Sequence, residues 1–179
     1  MNKKILLFLA LILFIIFLNI RSGAKNNKNN LAQTQDKDIT YFAYGSNMNI
    51  EQMNNRCPNG FEKIANGELL DYNFGFDKSG YANIKETKGF KVLGVVYNLT
   101  ETCLNNLDGY EGYPNHYNRK IVGIKDIENN QIMNSFVYIE PEDQFNGIAN
   151  QSYLDVIIKG AEANELPIKW INYLKTFKN

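Results

Sequence analysis

The chain has 179 residues, of which 44% are hydrophobic and 13% aromatic, with 19 acidic and 19 basic side chains. This length is sufficient for one domain with a hydrophobic core. Five basic groups and no acidic ones fall in the first 35 residues, which leaves the remainder net acidic and argues against broad attraction to nucleic acid. A histidine-based zinc site or a Ser-His-Asp triad would have to use the single histidine, His116.

Residues 1–24 are predicted to form a signal peptide or a membrane anchor. Two lysines precede an uninterrupted apolar run over residues 5–18, and 14 residues fit a signal-peptide core better than a full span of about 20. The small residues at positions 22–24 offer a cleavage site, whereas Arg21 is suited to end an uncleaved anchor. Both alternatives stay open, and both predict an exported or membrane-anchored protein, with the membrane as a partner if the segment is retained.

Residues 25–38 are rich in Asn, Lys and Gln and contain almost no bulky apolar groups, which is typical of a flexible polar linker. The folded domain is therefore predicted to cover residues 39–179. No internal repeat is visible in it.

Alternating apolar residues and turn signals predict many short strands in this domain. The predicted strands cover residues 39–44, one or two segments within 61–77 with a bulge or turn at Gly67, and 81–85, 91–99, 117–127 and 131–141. The predicted helices are a short turn near 51–53, a helix that begins after Thr100 and stops at Gly109, and helices at 151–165 and 168–177. This order indicates an α+β fold built on a closed or nearly closed sheet.

The stretch Tyr41-Phe42-Ala43-Tyr44-Gly45-Ser46-Asn47 opens the domain. Its aromatic half predicts a buried strand, and its Gly-Ser-Asn half predicts a turn. Glycine allows a ligand to approach the backbone closely, and successive N–H groups in such a turn can bind an anion. The stretch is either a cradle for a carboxylate or phosphate or an ordinary strand-to-turn junction.

Glu111 is the strongest candidate for acid–base chemistry. It stands between Gly109 and Gly112 and is flanked by Tyr110 and Tyr113, so a flexible backbone would aim the carboxylate into a partly apolar cavity. Such surroundings raise a carboxyl pKa toward the working pH. The alternative is a solvated loop glutamate.

Other polar residues have more ordinary interpretations. Asp108 is expected to cap or brace the turn before Glu111, and Arg119 either braces this loop or meets a substrate carboxylate. Ser46 has no histidine near it in sequence and is interpreted as a hydrogen-bonding turn residue rather than a nucleophile. Cys57 and Cys103 are either two small buried apolar residues or a pair that forms in an oxidising compartment.

Several stretches together resemble the γ-glutamylcyclotransferase family from about Tyr41 to Phe177. They are YFAYGSN at 41–47, GVVYNL at 94–99, LNNLDGYEG at 104–112 and YLDVIIKGAEANELP at 153–167. The resemblance implies a small mixed or antiparallel β-barrel with flanking helices.

The resemblance also implies roles for individual residues. Glu111 corresponds to the general acid/base of the family, and Tyr153 corresponds to a substrate contact. The residues implied to bind the γ-glutamyl head are Tyr41, Phe42, Ala43, Tyr44, Gly45, Ser46 and Asn47. The family uses neither a metal nor a cofactor, and it suggests small assemblies such as a homodimer.

The implied reaction converts a small-molecule γ-glutamyl amino acid into 5-oxoproline and a free amino acid. One alternative is a related enzyme that acts on a γ-glutamyl amine or removes the γ-glutamyl group from a protected metabolite. A further alternative is a tethered binding module without catalysis, which would not need the Glu111 carboxylate. Glutathione is the less favoured substrate, because its dedicated cyclotransferases resemble a different subgroup.

Overall fold

The structure is a computed structural model that describes residues 39–178. The strands are β1 Ile39–Ala43, β2 Phe61–Phe76, β3 Ala82–Leu99, β4 Asn118–Asp126 and β5 Ile132–Ile139. The helices are α1 Ile50–Arg56, α2 Glu101–Glu111, α3 Gln151–Ala163 and α4 Ile168–Lys175, with 3-10 turns at Ser46–Met48 and Glu142–Gln144. The predicted signal or anchor segment and the linker lie outside the described residues. Within residues 39–178, no helix combines the length and apolar character that a membrane crossing requires.

The five strands form a closed barrel in the order β1-β3-β2-β4-β5. All neighbouring strands run antiparallel except β1 and β5, which are parallel and meet at the pair Tyr41 and Phe136. The mixed barrel with flanking helices confirms the fold class predicted from the sequence. The strand β1 lies between β3 and β5 in the barrel wall, and the loop that follows β1 lies at one end of the barrel.

The strands β2 and β3 form one long hairpin, where the sequence predicted shorter strands. The mostly polar stretch 85–91 continues β3 instead of interrupting it, since Lys85, Glu86 and Lys91 pair with β2, while residues 87–90 bulge opposite Asp71. The prediction of a bulge or turn at Gly67 was wrong: the register shifts lie between Lys63 and Ala65 and between Leu70 and Tyr72. A Cβ at Gly67 would lie 2.4 Å from the Ile124 side chain, so the glycine there permits close packing of the barrel interior.

Side-chain caps define where three of the helices begin. Asn49 accepts hydrogen bonds from two backbone N–H groups of α1, and Thr100 and Asn150 cap α2 and α3 in the same manner. The helix α2 runs through Gly109 and ends at Glu111, followed by Gly112 in the left-handed region at φ 62°. The predicted stop at Gly109 was therefore wrong, and Glu111 belongs to the last turn of a helix rather than to a loop.

A disulfide between Cys57 and Cys103 joins the end of α1 to the first turn of α2. Their Cα atoms lie 4.9 Å apart, and both residues are only 1% exposed. Both sequence-based interpretations therefore contain part of the answer, because the cysteines are buried and also paired.

Candidate active site

An open cavity of about 700 Å³ lies where the loop after β1, the ends of α1 and α2 and the start of α3 meet. It has both polar and aromatic walls. Its lining residues are Ser46, Gln52, Arg56, Tyr81, Tyr110, Glu111, Gly112, His116, Tyr117, Asn150, Ser152, Tyr153 and Val156. The size suits a ligand as small as a dipeptide.

Glu111 reaches this cavity from the last turn of α2. Its side chain is 18% exposed, and Oε1 accepts a hydrogen bond from Asn47 Nδ2 over 3.2 Å. The Arg56 guanidinium lies 3.7 Å from the same oxygen. The carboxylate therefore sits between a neutral donor and a permanent cation, with part of its surface open to a ligand.

Asn47 orders the groups around Glu111. Its amide nitrogen also donates to Tyr41 Oη over 2.9 Å, and its amide oxygen accepts from Arg56 Nη1 over 2.5 Å. This amide therefore joins β1, α1 and α2 at a single buried point, since Asn47 is only 3% exposed.

Burial raises the pKa of the Glu111 carboxyl above its ordinary value. The nearby Arg56 guanidinium and the hydrogen bond from Asn47 lower the pKa, but their combined effect is smaller than that of burial. A carboxyl group tuned in this direction exchanges protons closer to neutral pH, as general acid–base catalysis requires.

Tyr153 faces the loop after β1 from the first turn of α3. The Ser46 N–H donates to Tyr153 Oη over 3.5 Å, and a Cβ at Gly45 would lie 3.0 Å from the same oxygen. Burial raises the pKa of Tyr153, so the phenol is neutral and keeps its proton for donation. The close approach at Gly45 gives the glycine of the motif a steric role.

The motif residues fall into three sets in the structure: one that lines the cavity, one behind Glu111 and one in the core. Ser46 lines the cavity with Glu111 and Tyr153, while Tyr41 and Asn47 stand behind Glu111 in the hydrogen-bond network. Phe42 and Ala43 are fully buried in the core, and the buried Tyr44 donates to the Tyr138 carbonyl over 2.5 Å. The side chains that do not line the cavity support the loop from behind. Their role as substrate contacts stays a prediction.

Neither Asp108 of α2 nor Arg119 of β4 is among the residues that line the cavity. Asp108 accepts a hydrogen bond from Tyr138 Oη over 2.7 Å and lies 3.6 Å from Arg119 Nε. Asp108 therefore ties α2 to β4 and β5 rather than capping its own turn, and Arg119 braces this region.

Sequence reasoning missed Arg56 and did not single out most of the aromatic wall. Arg56 stands at the end of α1 and carries no motif of its own, so only the packing of α1 against α2 brings it to Glu111. Tyr81 and Tyr117 are likewise placed by long-range contacts, whereas Tyr110 adjoins Glu111 in α2, as the sequence indicated. His116, considered in the sequence only as the histidine that a zinc site or a triad would need, lines the cavity and lies 2.8 Å from Glu140 through Nδ1.

The arrangement offers a proton acceptor at Glu111, a cation at Arg56 and donors from the loop and Tyr153. The N-terminus of α3 adds a partial positive charge beside Asn150 and Ser152. A zwitterionic ligand with an ammonium and a carboxylate matches these charges. Among residues 39–178, no three His, Cys, Asp or Glu side chains are grouped so as to hold a metal ion.

Known proteins support a family assignment. The family described as "Gamma-glutamyl cyclotransferase, AIG2-like" matches residues 41–155. Gamma-glutamylcyclotransferase of Homo sapiens is 29% identical over 174 residues, covering 83% of this chain and 87% of the human protein. The Bos taurus gamma-glutamylcyclotransferase is 28% identical over 163 residues, covering 82% of each chain.

A solved structure titled "Gamma-glutamyl cyclotransferase" superposes with a TM-score of 0.72 at 25% identity, covering 79% of this chain and 89% of the other. YkqA from Bacillus subtilis shares the fold at 22% identity with a TM-score of 0.68, covering 83% of this chain and 57% of YkqA. Together with the match over residues 41–155, these likenesses lead to one conclusion: the chain belongs to the gamma-glutamyl cyclotransferase, AIG2-like family.

Proposed function

We propose that this protein is a γ-glutamylcyclotransferase that converts a γ-glutamyl amino acid into 5-oxoproline and a free amino acid. The observation that carries the proposal is the Glu111 carboxylate, which opens into the cavity between Arg56 and Asn47. Glu111 would act as general base and then general acid. The relatives from Homo sapiens and Bos taurus carry the same activity in their names.

The reaction begins with the substrate's α-ammonium group beside Glu111. The carboxylate removes one proton, and the free amine attacks the γ-carbonyl carbon of the same molecule. A new C–N bond closes the five-membered ring, and the carbonyl oxygen takes up negative charge. The carbonyl re-forms as the γ-amide C–N bond breaks, and protonated Glu111 returns its proton to the departing amino nitrogen. The second proton of the ring nitrogen passes through solvent to the released amine, which leaves as an ammonium group, so the charges balance.

The positive side of the cavity suits the substrate's negative groups. The donors in this scheme are the Arg56 guanidinium, the N-terminus of α3 and the backbone N–H groups of Gly45, Ser46 and Asn47. They would bind a carboxylate or stabilise the oxyanion that forms during attack. Tyr153 Oη would steady the same loop from the opposite side.

An intramolecular nucleophile explains how one carboxylate could suffice. The attacking amine belongs to the substrate, so the protein does not need a nucleophilic serine or cysteine. Correct orientation of two groups within one molecule lowers a barrier by up to about 7–11 kcal/mol in the best cases. In this scheme, the cavity walls hold the folded substrate and Glu111 moves the protons.

The test compares the purified protein with Glu111→Gln and with the control Glu128→Gln. Glu128 is exposed in the turn after β4, so the control makes the same chemical change away from the cavity. Each protein is incubated with γ-glutamyl-alanine and with a γ-glutamyl amine, and 5-oxoproline is quantified. We expect Glu111→Gln to lose at least about a hundredfold in rate, the scale of a general acid–base contribution, while the control keeps its activity.

Other outcomes have definite meanings. Equal activity in the Glu111→Gln protein would remove Glu111 from its role and leave the reaction standing. Formation of 5-oxoproline from the γ-glutamyl amine alone would identify the substrate class as γ-glutamyl amines instead of γ-glutamyl amino acids. A folded protein that forms no 5-oxoproline from either class would overturn the proposed activity in favour of a binding role.

The disulfide supports the prediction that the protein is exported or membrane-anchored. Disulfides persist in oxidising compartments and are rare in the cytosol, and Cys57 and Cys103 are paired here. Cell fractionation followed by labelling of free thiols tests this location. A protein recovered in a reducing compartment with two free thiols would contradict it.

A further inference from the structure

The disulfide joins the two helices that carry Arg56 and Glu111. Cys57 directly follows Arg56 and caps the C-terminus of α1, while Cys103 lies in the first turn of α2, which ends at Glu111. Neither cysteine lines the cavity in the described part of the chain. The bond therefore acts on the site through the positions of the helices and not by direct contact with a ligand.

The helix α1 is short and is held by its buried Met53, by the contacts of Arg56 with Asn47 and α2, and by this junction at its C-terminal end. It contains seven residues, and isolated helices shorter than about 12 residues are marginal in water. Around the bond, the Gly60 N–H donates to the Cys57 carbonyl over 3.0 Å, and the Thr100 N–H donates to the Gly60 carbonyl over 2.9 Å. The disulfide is the covalent part of this junction, beside these two backbone hydrogen bonds and the buried Met53 of α1.

The Arg56 side chain contacts the C-terminal end of α2, whereas Cys103 lies at the N-terminal end of this helix. Its guanidinium lies 4.9 Å from the centre of the Tyr110 ring and 3.7 Å from Glu111 Oε1. Cys103 and Glu111 are eight positions apart, or about 12 Å along a helix axis. A small change in the angle between α1 and α2 at the disulfide would therefore displace the Arg56 guanidinium relative to Glu111 at the C-terminal end of α2.

We propose that the Cys57–Cys103 disulfide positions the active site by holding the Arg56 guanidinium against Glu111, so that loss of the bond moves the guanidinium away and weakens catalysis. The catalytic half of this inference rests on the proposed function; the positional half does not. A dithiol such as dithiothreitol supplies the two electrons and two protons that convert the S–S bond into two thiols. The dithiol itself becomes a cyclic disulfide.

The expected signature is a change in the proton affinity of Glu111. The Arg56 charge lowers the pKa of this carboxyl, so a displaced guanidinium leaves burial less opposed and the pKa rises. The other groups that interact with Glu111 carry no charge near pH 7. They are the amide of Asn47 and the phenols of Tyr41, Tyr44, Tyr117, Tyr138 and Tyr153. His116 lines the same cavity and lies 2.8 Å from Glu140 through Nδ1.

The experiment measures this titration directly, without a substrate. The Glu111 carboxyl is followed by carbon-detected NMR from pH 4 to pH 9, with the Glu111→Gln spectrum identifying its signal. The full-length protein is compared before and after dithiothreitol, and with Cys57→Ala/Cys103→Ala, which avoids the slow reduction of a buried bond. We expect the midpoint to rise by about one pH unit in both bond-free forms, at the low end of the effect of a nearby opposite charge.

Two controls separate the possible explanations. The chain contains two cysteines, so dithiothreitol should leave the spectrum of the double variant unchanged. The Arg56→Gln protein should titrate like the bond-free forms and be insensitive to reduction. Unchanged helical circular dichroism confirms that the bond-free proteins remain folded, and a double variant that unfolds is replaced by the reduced wild type.

The outcomes distinguish this inference from the proposed function. A rise in the midpoint together with a fall of up to about tenfold in kcat/KM for 5-oxoproline formation below the carboxyl's pKa supports both. A rise in the midpoint without product from any form supports the positional role and removes the proposed reaction. The same midpoint in oxidised, reduced and double-variant proteins overturns the inference, whatever the activity.

Discussion

The side-chain amide of Asn47 donates to the Glu111 carboxylate over 3.2 Å, although 64 positions separate the two residues in the chain. The same amide contacts Tyr41 and Arg56, so three elements of secondary structure are aligned by one side chain. Asn47 therefore contributes to both the orientation and the proton affinity of Glu111.

Replacement of Asn47 by alanine should weaken catalysis and shift its pH dependence. A hydrogen bond to a charged group contributes about 1.5–3 kcal/mol, so kcat/KM should fall roughly 10- to 100-fold. Loss of the donor also raises the pKa of Glu111, because the hydrogen bond stabilises its ionised form. The acid limb of kcat/KM should therefore move to higher pH. The exposed Asn55→Ala in α1 is the control, and an unchanged limb in Asn47→Ala would contradict the prediction.

Glu111→Gln should make the protein more stable at neutral pH. Native Glu111 keeps its proton to a higher pH than the unfolded chain does, since burial raises its pKa above the ordinary value of 4.5. The native state thus binds more protons between the two pKa values, and stability falls as pH rises through that interval. The gain in Tm for Glu111→Gln should be absent near pH 4 and grow toward pH 8.

The control for this experiment is Glu128→Gln, which removes an exposed carboxyl. Its Tm difference from the parent should not follow the same pH trend. A Glu111→Gln difference that is constant from pH 4 to pH 8 would show that the carboxyl titrates alike in the native and unfolded chains.

Gly45→Ala should reduce activity through a collision with Tyr153. The new Cβ would lie 3.0 Å from Tyr153 Oη and 3.2 Å from the Ala82 Cβ, and the loop or the phenol must shift. Small displacements of a catalytic arrangement have large kinetic effects, and we expect a loss in kcat/KM of roughly tenfold or more. In a Tyr153→Phe background the hydroxyl is absent, and the same substitution should cost clearly less.

A second cycle controls this test of coupling. Tyr110 lines the cavity but is 63% exposed. Tyr110→Phe also removes a phenol hydroxyl, and its effect on kcat/KM should add independently to that of Gly45→Ala. Equal additivity in both cycles would show that Gly45 and Tyr153 are not coupled.

Gly109→Ala should stabilise the protein. Gly109 lies inside α2, and a Cβ there would meet no heavy atom within 4 Å. Because glycine in a helix interior costs about 0.5–1 kcal/mol relative to alanine, the free energy of unfolding in urea should rise by this amount. Gly112→Ala is the opposite case, since Gly112 has φ +62° and its Cβ would lie 3.0 Å from the His116 Cβ. A loss of stability in Gly109→Ala would contradict the prediction.

Local patterns predicted the barrel because short apolar segments bounded by turn signals mark its strands, although β4 alternates in burial and β1, β3 and β5 bury consecutive residues. They failed where structure depends on partners that the pattern does not contain. The stretch 85–91 has a mostly polar composition, yet it continues β3 because Lys85, Glu86 and Lys91 pair with β2 on either side of a bulge at 87–90. Gly109 was taken as a helix stop, although its backbone stays helical and the left-handed residue is Gly112.

The candidate site shows the same division. Glu111, Ser46 and Tyr153 were predicted, and the structure brings them to one cavity. Arg56 was missed because one arginine at the end of a short helix has no local signature. Its proximity to Glu111 follows from the packing of α1 on α2, to which the pairing of Cys57 with Cys103 contributes.

The closure of the barrel is uneven around its circumference. The β4–β5 hairpin is held internally by eight residue pairs, yet it meets β2 at two pairs and β1 at the pair Tyr41 and Phe136. We expect native-state hydrogen exchange to identify this hairpin as an early opening unit. Its departure would uncover the aromatic edge of β1, which is a template for strand pairing between molecules. Storage at high concentration should therefore favour aggregation through β1, and a covalent link across this seam should suppress it.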